Sequence, residues 1–289
     1  MKTILIGRSS LSASRLAYGC WRIAETEETG RTLGRAAVIA AYEAGYTLFD
    51  HADIYCAGRA ESAFGAVLKE VSGMCERVLI ATKCGIRMAG DPAADAPFRY
   101  DFSAGHIRRS CEASLKRLGV DCIDLYQLHR PDWLCDPAEV AGVFSELQQA
   151  GKVRAFGVSN FAPSQVTMLQ KACAMPLVVN QVEISLAKLD CFTDGTLDQC
   201  VAEGITPLAW SPLGGGQLAD GPRRLLPWQE KYQPATTVKV LDEIAKAHGA
   251  SRSVVGLAWL LKHPSKIVPI VGSTKPDRIR EAVRAALAG

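Results

Sequence analysis

The feature that most constrains the fold is a regular alternation of short apolar runs with longer segments of helical spacing. Apolar runs bounded by turn residues are typical of buried strands, and apolar residues at every third or fourth position are typical of amphipathic helices. About eight such strand and helix pairs follow one another through short connections. No linker rich in proline, glycine and serine interrupts the series, so residues 1–289 are predicted to form a single domain.

The pattern predicts a small hairpin, Thr3–Ile6 with Leu11–Ala13, ahead of the repeating units. The predicted strands are Ser14–Cys20, Thr47–Phe49, Arg77–Thr82, Cys122–Leu128, Val153–Val158, Leu177–Gln181, Thr206–Ala209 and Ile267–Val271. The predicted helices are Arg35–Ala44, Glu61–Lys69, Ser103–Leu118, Pro137–Ala150, Pro163–Ala174, Gly195–Glu203, Arg252–Lys262 and Pro276–Leu287. Gly45, Gly119 and Gly151 fall where helices should end, as glycine commonly does.

An α/β fold follows, a (β/α)8 TIM barrel with a short N-terminal β-hairpin. A doubly wound sheet is the competing architecture. One that bound a dinucleotide would normally carry G-x-G-x-x-G after its first strand, and this spacing is absent from the sequence. The segment from Pro212 to Pro234, rich in glycine, proline and arginine, interrupts the rhythm, and a loop this long is usually functional.

Composition excludes several classes of partner. Lysine and arginine exceed aspartate and glutamate by only three, and no block of like charge could follow a phosphate backbone or an anionic membrane. The apolar run at the N-terminus is too short for a signal peptide, so we expect a cytoplasmic protein, monomeric or weakly homo-oligomeric. The ten cysteines form no C-x-x-C pair, which indicates reduced thiols and no zinc site.

In a TIM barrel the chemistry collects where strands end at the carboxyl face. The predicted strand ends here are unusually polar: Asp50-His51-Ala52-Asp53-Ile54-Tyr55, Lys83-Cys84-Gly85, His129-Arg130-Pro131-Asp132, Ser159-Asn160, Gln181-Val182-Glu183 and Trp210-Ser211-Pro212. Each residue alone has an ordinary structural interpretation, as a cap, a turn or a solvated charge. Their coincidence at one end of successive strands favours a functional site.

The sequence resembles the aldo-keto reductase superfamily over nearly its whole length. The family pattern of aspartate, tyrosine five residues later, then lysine and histidine at the next two strand ends is matched by Asp50, Tyr55, Lys83 and His129. Further matches are Gly157-Val158-Ser159-Asn160-Phe161, Gly151-Lys152-Val153-Arg154 and Asn180-Gln181-Val182-Glu183. The resemblance implies reduction of an aldehyde or ketone by hydride from NADPH, with a small-molecule carbonyl compound as substrate.

The residue chemistry agrees with this implication. A carbonyl that accepts hydride becomes an alkoxide, and Tyr55 is the proton donor we would choose. A phenol has an ordinary pKa near 10, so a cation must stabilise the phenolate, and Lys83 supplies it. Asp50 would orient Lys83, and His129 would hydrogen-bond the carbonyl oxygen.

The resemblance also implies a site for the nicotinamide cofactor. Ser159, Asn160 and Gln181 offer polar groups for the carboxamide, and Trp210 a flat ring against the nicotinamide. The other predicted cofactor contacts are Ser211, Pro212, Leu213, Gly214, Gly216, Gly272, Ser273, Thr274, Lys275 and Arg278. Glycine lets backbone amides approach a pyrophosphate, and Lys275 with Arg278 resembles the family's clamp for the 2′-phosphate. The family's lysine position holds Gly272 instead, but Lys275 and Arg278 lie at the start of a predicted helix, where their charge and the helix dipole still favour NADPH.

Two other departures concern the substrate side. Longer family members have a tail that closes over the substrate, and the sequence reaches Gly289 soon after the last predicted helix. By the resemblance we expect a more open pocket, with specificity left to Trp21 and to loops 87–102 and 130–135. Cys56 stands where the family commonly has glycine. We expect Cys20, Cys56 and Cys84 to ring the substrate side of the pocket, with Cys56 the reactive thiol.

Two other functions and a metal site are the alternatives from sequence. A cofactor-sensing binding protein resembling the regulatory subunits of potassium channels is disfavoured by the complete set of four candidate catalytic residues. A Schiff-base lyase would use Lys83, since class I aldolases are also barrels with a lysine at a strand end. A metal at His51 and Asp53 lacks the His-x-His pattern of barrel hydrolases, so no metal is expected.

Overall fold

The computed structural model of the chain describes residues 1–219 and 235–287. Its strands are β1 (Thr3–Leu5), β2 (Ser12–Ser14), β3 (Ala17–Gly19), β4 (Leu48–Asp50), β5 (Leu79–Cys84), β6 (Ile86–Arg87), β7 (Arg99–Tyr100), β8 (Ile123–Leu128), β9 (Val153–Ser159), β10 (Leu177–Glu183), β11 (Thr206–Trp210) and β12 (Val268–Val271). Strands β3, β4, β5, β8, β9, β10, β11 and β12 pair in parallel, in that order, and β12 pairs with β3 to close the barrel. The predicted (β/α)8 barrel is confirmed, as is the antiparallel hairpin of β1 and β2 ahead of it.

The helices surround the barrel. They are α1 (Glu27–Thr29), α2 (Arg35–Glu43), α3 (Arg59–Glu70), α4 (Ala104–Leu118), α5 (Pro137–Gln149), α6 (Pro163–Ala172), α7 (Thr196–Glu203), α8 (Ala235–Ala247), α9 (Arg252–Leu261) and α10 (Pro276–Ala282). Capping explains several boundaries. The Ser103 hydroxyl accepts a hydrogen bond from His106 N at the start of α4, and Gly119 ends that helix with φ of 69°. Gly45 and Gly151 take left-handed conformations just after α2 and α5, as predicted.

Several predicted boundaries shift. The first strand was expected to begin at Ser14, but Ser14 belongs to the hairpin and β3 begins at Ala17. The third was expected to end at Thr82, but β5 runs on to Cys84, so Lys83 lies within a strand rather than beyond one. Sequence patterns also missed α8, the short α1 and the β6–β7 hairpin, which begins at Ile86 and overlaps loop 87–102. Part of the predicted functional loop, residues 220–234, lies outside the described residues.

Two buried layers follow from side-chain alternation along the strands. Inward-facing Leu48, Leu125 and Leu208 fill the barrel together with Ile6 and Leu11, which come from the hairpin segment and close the amino end of the barrel. Outward-facing residues of the same strands pack under the helices. Because the amino end is filled with apolar side chains, the polar groups of the strands collect in the carboxyl half of the barrel.

Candidate active site

Alternation places Lys83 inside the barrel. Ala81, two residues earlier in β5, belongs to the inner apolar cluster, whereas Ile80 and Cys84 belong to the outer one. Lys83 therefore points inward and is fully buried, which excludes the ordinary structural interpretation of this residue as a solvated charge at a strand end. A buried ammonium requires compensation by charge and hydrogen bonds.

The surroundings of Lys83 supply that compensation. Its Nζ donates to Asp50 Oδ2 at 2.9 Å, to the carbonyl oxygen of His51 at 2.6 Å and to Tyr55 Oη at 3.2 Å. Lysine has three N–H donors, and three acceptors surround this one. Burial lowers the pKa of Lys83, but Asp50 and Tyr55 outweigh it and raise that pKa above its ordinary value. Lys83 is therefore charged across the physiological range.

Tyr55 stands on a tight turn that follows β4. Its ring lies 4.8 Å from Lys83 Nζ, 5.8 Å from the His129 ring and 6.5 Å from the Trp21 ring, measured at ring centroids. Burial raises the pKa of Tyr55, and the Lys83 ammonium only partly reverses that rise. The phenol is thus protonated at neutral pH. Its oxygen accepts from Lys83, so its own O–H is available for another acceptor.

His129 directly follows β8 and lies in the buried wall beside Tyr55. Burial lowers the pKa of His129 well below its ordinary value, and the charges of Lys83 and Arg130 lower it further. The imidazole is therefore neutral at physiological pH. A neutral imidazole can donate one hydrogen bond to a substrate oxygen without acting as the general acid. Asp50, Tyr55, Lys83 and His129 lie together at the carboxyl end of the barrel, as expected from the strand ends.

The residues expected to hold a nicotinamide form a connected group. Asn160 Nδ2 donates to the His129 carbonyl oxygen at 3.2 Å and to Ser159 Oγ at 2.8 Å, and Trp210 Nε1 donates to Asn160 Oδ1 at 2.9 Å. Ser159 Oγ donates to the backbone oxygen of Gln181 at 2.8 Å. Both N–H groups of Asn160 are thus engaged, and this residue braces Trp210 and His129. Asn160 adopts φ of 62°, a left-handed conformation that asparagine tolerates well.

Gln181 bridges this group to the ion pair. Its Nε2 donates to Asp50 Oδ2 at 3.2 Å, while its Oε1 is buried without a partner among the described residues. A buried acceptor of this kind normally has a partner, from the protein, water or a ligand. An amide N–H of a bound ligand would satisfy it.

A cavity of about 1280 Å³ opens over these residues. It is larger than the pockets that hold single small ligands, so it has room for a dinucleotide and a substrate. Of the predicted site residues it is lined by Asp50, Tyr55, His129, Ser159, Asn160, Gln181, Trp210, Ser211, Pro212, Leu213, Gly216, Gly272, Ser273, Thr274, Lys275, Arg278 and Trp21. Gly214 does not line it; the neighbouring Gly215, which sequence reasoning did not select, does.

The loop after β11 turns sharply beside this cavity. Ser211 has φ of 48°, and Gly214, Gly215 and Gly216 have φ of 58°, 63° and 100°. Glycine reaches these angles without strain, and successive amides in such turns can face an anion. At the other end of the cavity a side chain on Gly272 would meet nothing within 4 Å, so the wall beside Lys275 and Arg278 is open. The residues present therefore fit a nicotinamide dinucleotide.

The predicted placement of Cys20, Cys56 and Cys84 around the substrate pocket needs correction, whereas the predicted reactivity of Cys56 stays a prediction. Cys20 and Cys84 are fully buried, and neither they nor Cys56 line the cavity. Cys56 Sγ lies 3.1 Å from the carbonyl oxygen of Trp21. Cys191 does line the cavity, but burial raises the pKa of its thiol to about 11. Alternation along the strands explains the burial of Cys84, since it faces outward from β5 beneath the helices.

His51 and Asp53 do not form a metal centre within residues 1–219 and 235–287, where no group of three or more potential ligands is found. His51 is fully buried, and burial lowers the pKa of its imidazole to about 3. Across the same described residues, no helix is long and apolar enough to cross a membrane.

Sequence reasoning missed the charged groups behind the Tyr55 turn. Glu61 is fully buried and accepts hydrogen bonds from Thr82 Oγ1 and Arg117 Nε, both at 2.6 Å. The available signal was a glutamate among the apolar positions of a helix, flanked by the buried Ala60 and Phe64. An acidic residue in such a position needs a partner.

The closed barrel and the polar groups at its carboxyl end agree with an oxidoreductase of the aldo-keto reductase class, which the sequence motifs resemble. The chain belongs to the aldo/keto reductase family, whose sequence profile matches residues 15–288. It is 42% identical over 288 residues to a 6-dehydroglucose reductase of Novosphingobium aromaticivorans, covering 97% of this chain and 88% of that protein. A 6-dehydroglucose reductase of Agrobacterium fabrum is 41% identical over 276 residues, covering 95% of this chain and 89% of that protein. The structure is similar to the solved holo form of aldo-keto reductase AKR11C1 from Bacillus halodurans, with a TM-score of 0.82 and 26% sequence identity. The match covers 100% of this chain and 92% of the AKR11C1 chain.

Proposed function

We propose that the protein reduces an aldehyde or ketone to an alcohol with NADPH as hydride donor. The observation that carries the proposal is the position of Lys83 Nζ, within hydrogen-bond distance of both Asp50 Oδ2 and Tyr55 Oη. This arrangement keeps a buried cation beside a protonated phenol. NADPH, when bound, supplies the hydride.

Tyr55 acts as the general acid. Its oxygen accepts a hydrogen bond from Lys83, which leaves the phenolic O–H for the substrate carbonyl oxygen. As the substrate oxygen becomes an alkoxide, the phenol proton passes to it, and Lys83 stabilises the phenolate left behind. Asp50 keeps Lys83 charged and oriented. Neutral His129 orients the same carbonyl oxygen by a hydrogen bond.

NADPH would lie across the barrel mouth. Gln181 Oε1 and Ser159 would receive the carboxamide, Trp210 would stack against the nicotinamide, and the backbone of residues 211–216 would hold the pyrophosphate. Lys275 and Arg278, with Ser273 and Thr274, would bind the 2′-phosphate. A phosphate dianion favours cationic neighbours, so this set favours NADPH over NADH.

The substrate is a small-molecule carbonyl compound. The relatives from Novosphingobium and Agrobacterium are 6-dehydroglucose reductases, so a sugar aldehyde is the first compound to test on this chain. Trp21, 47% exposed at the cavity edge, offers a ring face to the C–H groups of such a substrate.

The test is turnover. NADPH oxidation should be followed at saturating cofactor over a panel of aldehydes and ketones that includes 6-dehydroglucose. Catalytic turnover that is lost in Tyr55→Phe, with NADPH binding retained, supports the proposal. Tight NADPH binding with no turnover on any compound would favour the sensor function instead. Trapping of a keto substrate on Lys83 by borohydride would favour a lyase.

A further inference from the structure

A second polar cluster lies behind the active site, outside the barrel wall. Its members are Glu61 from α3 and Arg117 from α4, with Thr82 from β5. Glu61 is fully buried, and its two oxygens accept from Thr82 Oγ1 and from Arg117 Nε at 2.6 Å each. Thr82 directly precedes Lys83. The cluster therefore ties β5, the strand that carries Lys83, to helices α3 and α4.

Asp53 joins the cluster from the Tyr55 turn. Its backbone N–H donates to the carbonyl oxygen of Lys83 at 3.0 Å, and its Oδ1 is shut off from solvent. Asp53 does not line the active-site cavity, so it does not touch substrate or cofactor. Asp53 lies two residues before Tyr55 in the chain, so a shift of its carboxyl group would also move the phenol of Tyr55.

The turn itself is strained. Cys56, Ala57 and Gly58 are consecutively left-handed, with φ of 51°, 54° and 84°. This conformation costs roughly 1–2 kcal/mol for each residue that is not glycine. Surrounding contacts must therefore hold the turn. Arg117 packs directly against it, since a side-chain carbon on Gly58 would come within 3.0 Å of Arg117 Cδ.

The charges in the cluster are unequal. Asp53 and Glu61 supply two carboxyl groups. Among the described residues whose charge shifts the pKa of Asp53, Arg117 is the one cation. Burial raises the pKa of Asp53 to about 7, the negative charge of Glu61 adds to the rise, and Arg117 opposes it. Among residues 1–219 and 235–287, the other titratable or polar side chains that face this carboxyl group are Cys84 from β5, Tyr126 from β8 and Ser110 from α4.

We infer that Asp53, Glu61 and Arg117 are positioning residues that fix the Tyr55 turn against β5, and that they do so best when Asp53 is protonated. One carboxylate is then balanced by one guanidinium. Asp53 as a whole is half-buried, but its Oδ1 is shut off from solvent. Loss of the Asp53 proton therefore adds a second, poorly solvated negative charge beside Glu61, and repulsion loosens the turn that carries Tyr55. The inference rests on the carbonyl reduction proposed above, because its main consequence is a change in the rate of proton donation.

The decisive experiment compares kcat and KM as functions of pH in the wild type, Asp53→Asn, Arg117→Gln and Arg117→Lys. Arg108→Gln is a matched control, since Arg108 lies on the same helix and forms an exposed ion pair with Glu146. Wild-type kcat should fall between pH 6 and 8 relative to that of Asp53→Asn, with KM nearly unchanged. Misplacing a reacting group by about 1 Å can cost about 100-fold in rate. A loosened turn should displace Tyr55 by less than this, so we expect kcat to fall by about tenfold.

The arginine variants separate positioning from mere structure. Arg117→Gln should lower kcat at every pH, Arg117→Lys should recover most of it because the charge on Glu61 is again balanced, and Arg108→Gln should behave as wild type. Equal pH profiles for wild type and Asp53→Asn would overturn the inference. So would a failure of Arg117→Lys to recover kcat. If Arg117→Gln does not fold, the comparison of wild type with Asp53→Asn decides alone.

A second readout does not depend on turnover. Cys56 lies in the turn, so its alkylation by iodoacetamide, followed by peptide mass spectrometry, reports how tightly the turn is held. The ratio of wild-type to Asp53→Asn modification rates should rise severalfold from pH 6 to pH 8, and a constant ratio would contradict the inference. If no carbonyl compound is reduced, the proposed function fails while this ratio still tests the cluster.

Discussion

Replacing Lys83 with methionine removes the cation on which the proposed chemistry depends. Lys83 Nζ lies 3.2 Å from Tyr55 Oη, and Lys83 is fully buried. With an effective dielectric constant of about 20, a full phenolate charge at this distance would be stabilised by about 5 kcal/mol. Because each 1.36 kcal/mol is about tenfold in rate, a full phenolate charge corresponds to roughly 10⁴-fold. Only part of that charge has developed in the transition state, so the proton-donation step should slow by up to about 10³-fold.

The same substitution also tests the ion pair. Asp50 would keep the hydrogen bond from Gln181 Nε2 but lose its ammonium partner. Breaking a buried pair by removing one member costs about 3–5 kcal/mol, because a buried charge is left uncompensated. Lys83→Met should therefore lower the free energy of unfolding. Replacement of a solvent-exposed lysine would leave that free energy nearly unchanged. The double variant Lys83→Met with Asp50→Asn should recover most of that loss without recovering activity.

The assay has two parts. Urea unfolding at pH 7 gives the free energy of unfolding for the wild type, the single variant and the double variant. Single-turnover oxidation of bound NADPH, measured by its fluorescence, gives the chemical step. A single variant as stable as wild type, or a double variant less stable than the single one, would refute the ion-pair reasoning. A Lys83→Met enzyme with near-normal single turnover would refute the proposed role of Lys83.

The other predictions concern the donor, the cofactor and the turn. Tyr55→Phe should slow reduction by about 10²–10⁴-fold while the Kd for NADPH, measured by fluorescence titration, stays nearly constant; rapid reduction would exclude Tyr55 as the acid. Arg278→Ala should weaken NADPH binding about tenfold and leave NADH unaffected, with Arg280→Ala on the same helix as control; equal losses for both cofactors would assign Arg278 a structural role. The pKa of Asp53, raised from 3.8 to about 7, means that the folded protein holds this proton more tightly than the unfolded chain. Wild-type stability should therefore decline relative to Asp53→Asn as pH rises from about 4 to about 7, and parallel stability curves in urea titrations would contradict this. Cys56→Gly should raise Tm and keep activity, because glycine relieves the left-handed strain at φ of 51°; a lowered Tm would show that its contact with Trp21 matters more.

The sequence by itself determined the architecture and the candidate chemistry. The alternation of strand and helix patterns required a parallel α/β fold, and the run of short connections favoured a closed barrel over an open sheet. Helix ends at Gly45, Gly119 and Gly151 were readable because left-handed glycine caps are local features. The polar strand ends also identified Asp50, Tyr55 and their neighbours, since parallel strands all end at the same face.

Tertiary structure decided what local patterns do not encode. Whether Lys83 reaches water or the barrel interior depends on where β5 ends, and tertiary pairing with β8 extends that strand to Cys84. The same alternation turns Cys84 away from the cavity. The pairing of Glu61 with Arg117 joins residues 56 positions apart, and it places two charged side chains behind the Tyr55 turn. Such contacts arise only when helices pack on the closed barrel, because burial and charge neighbours are properties of the assembled layers rather than of the chain segments.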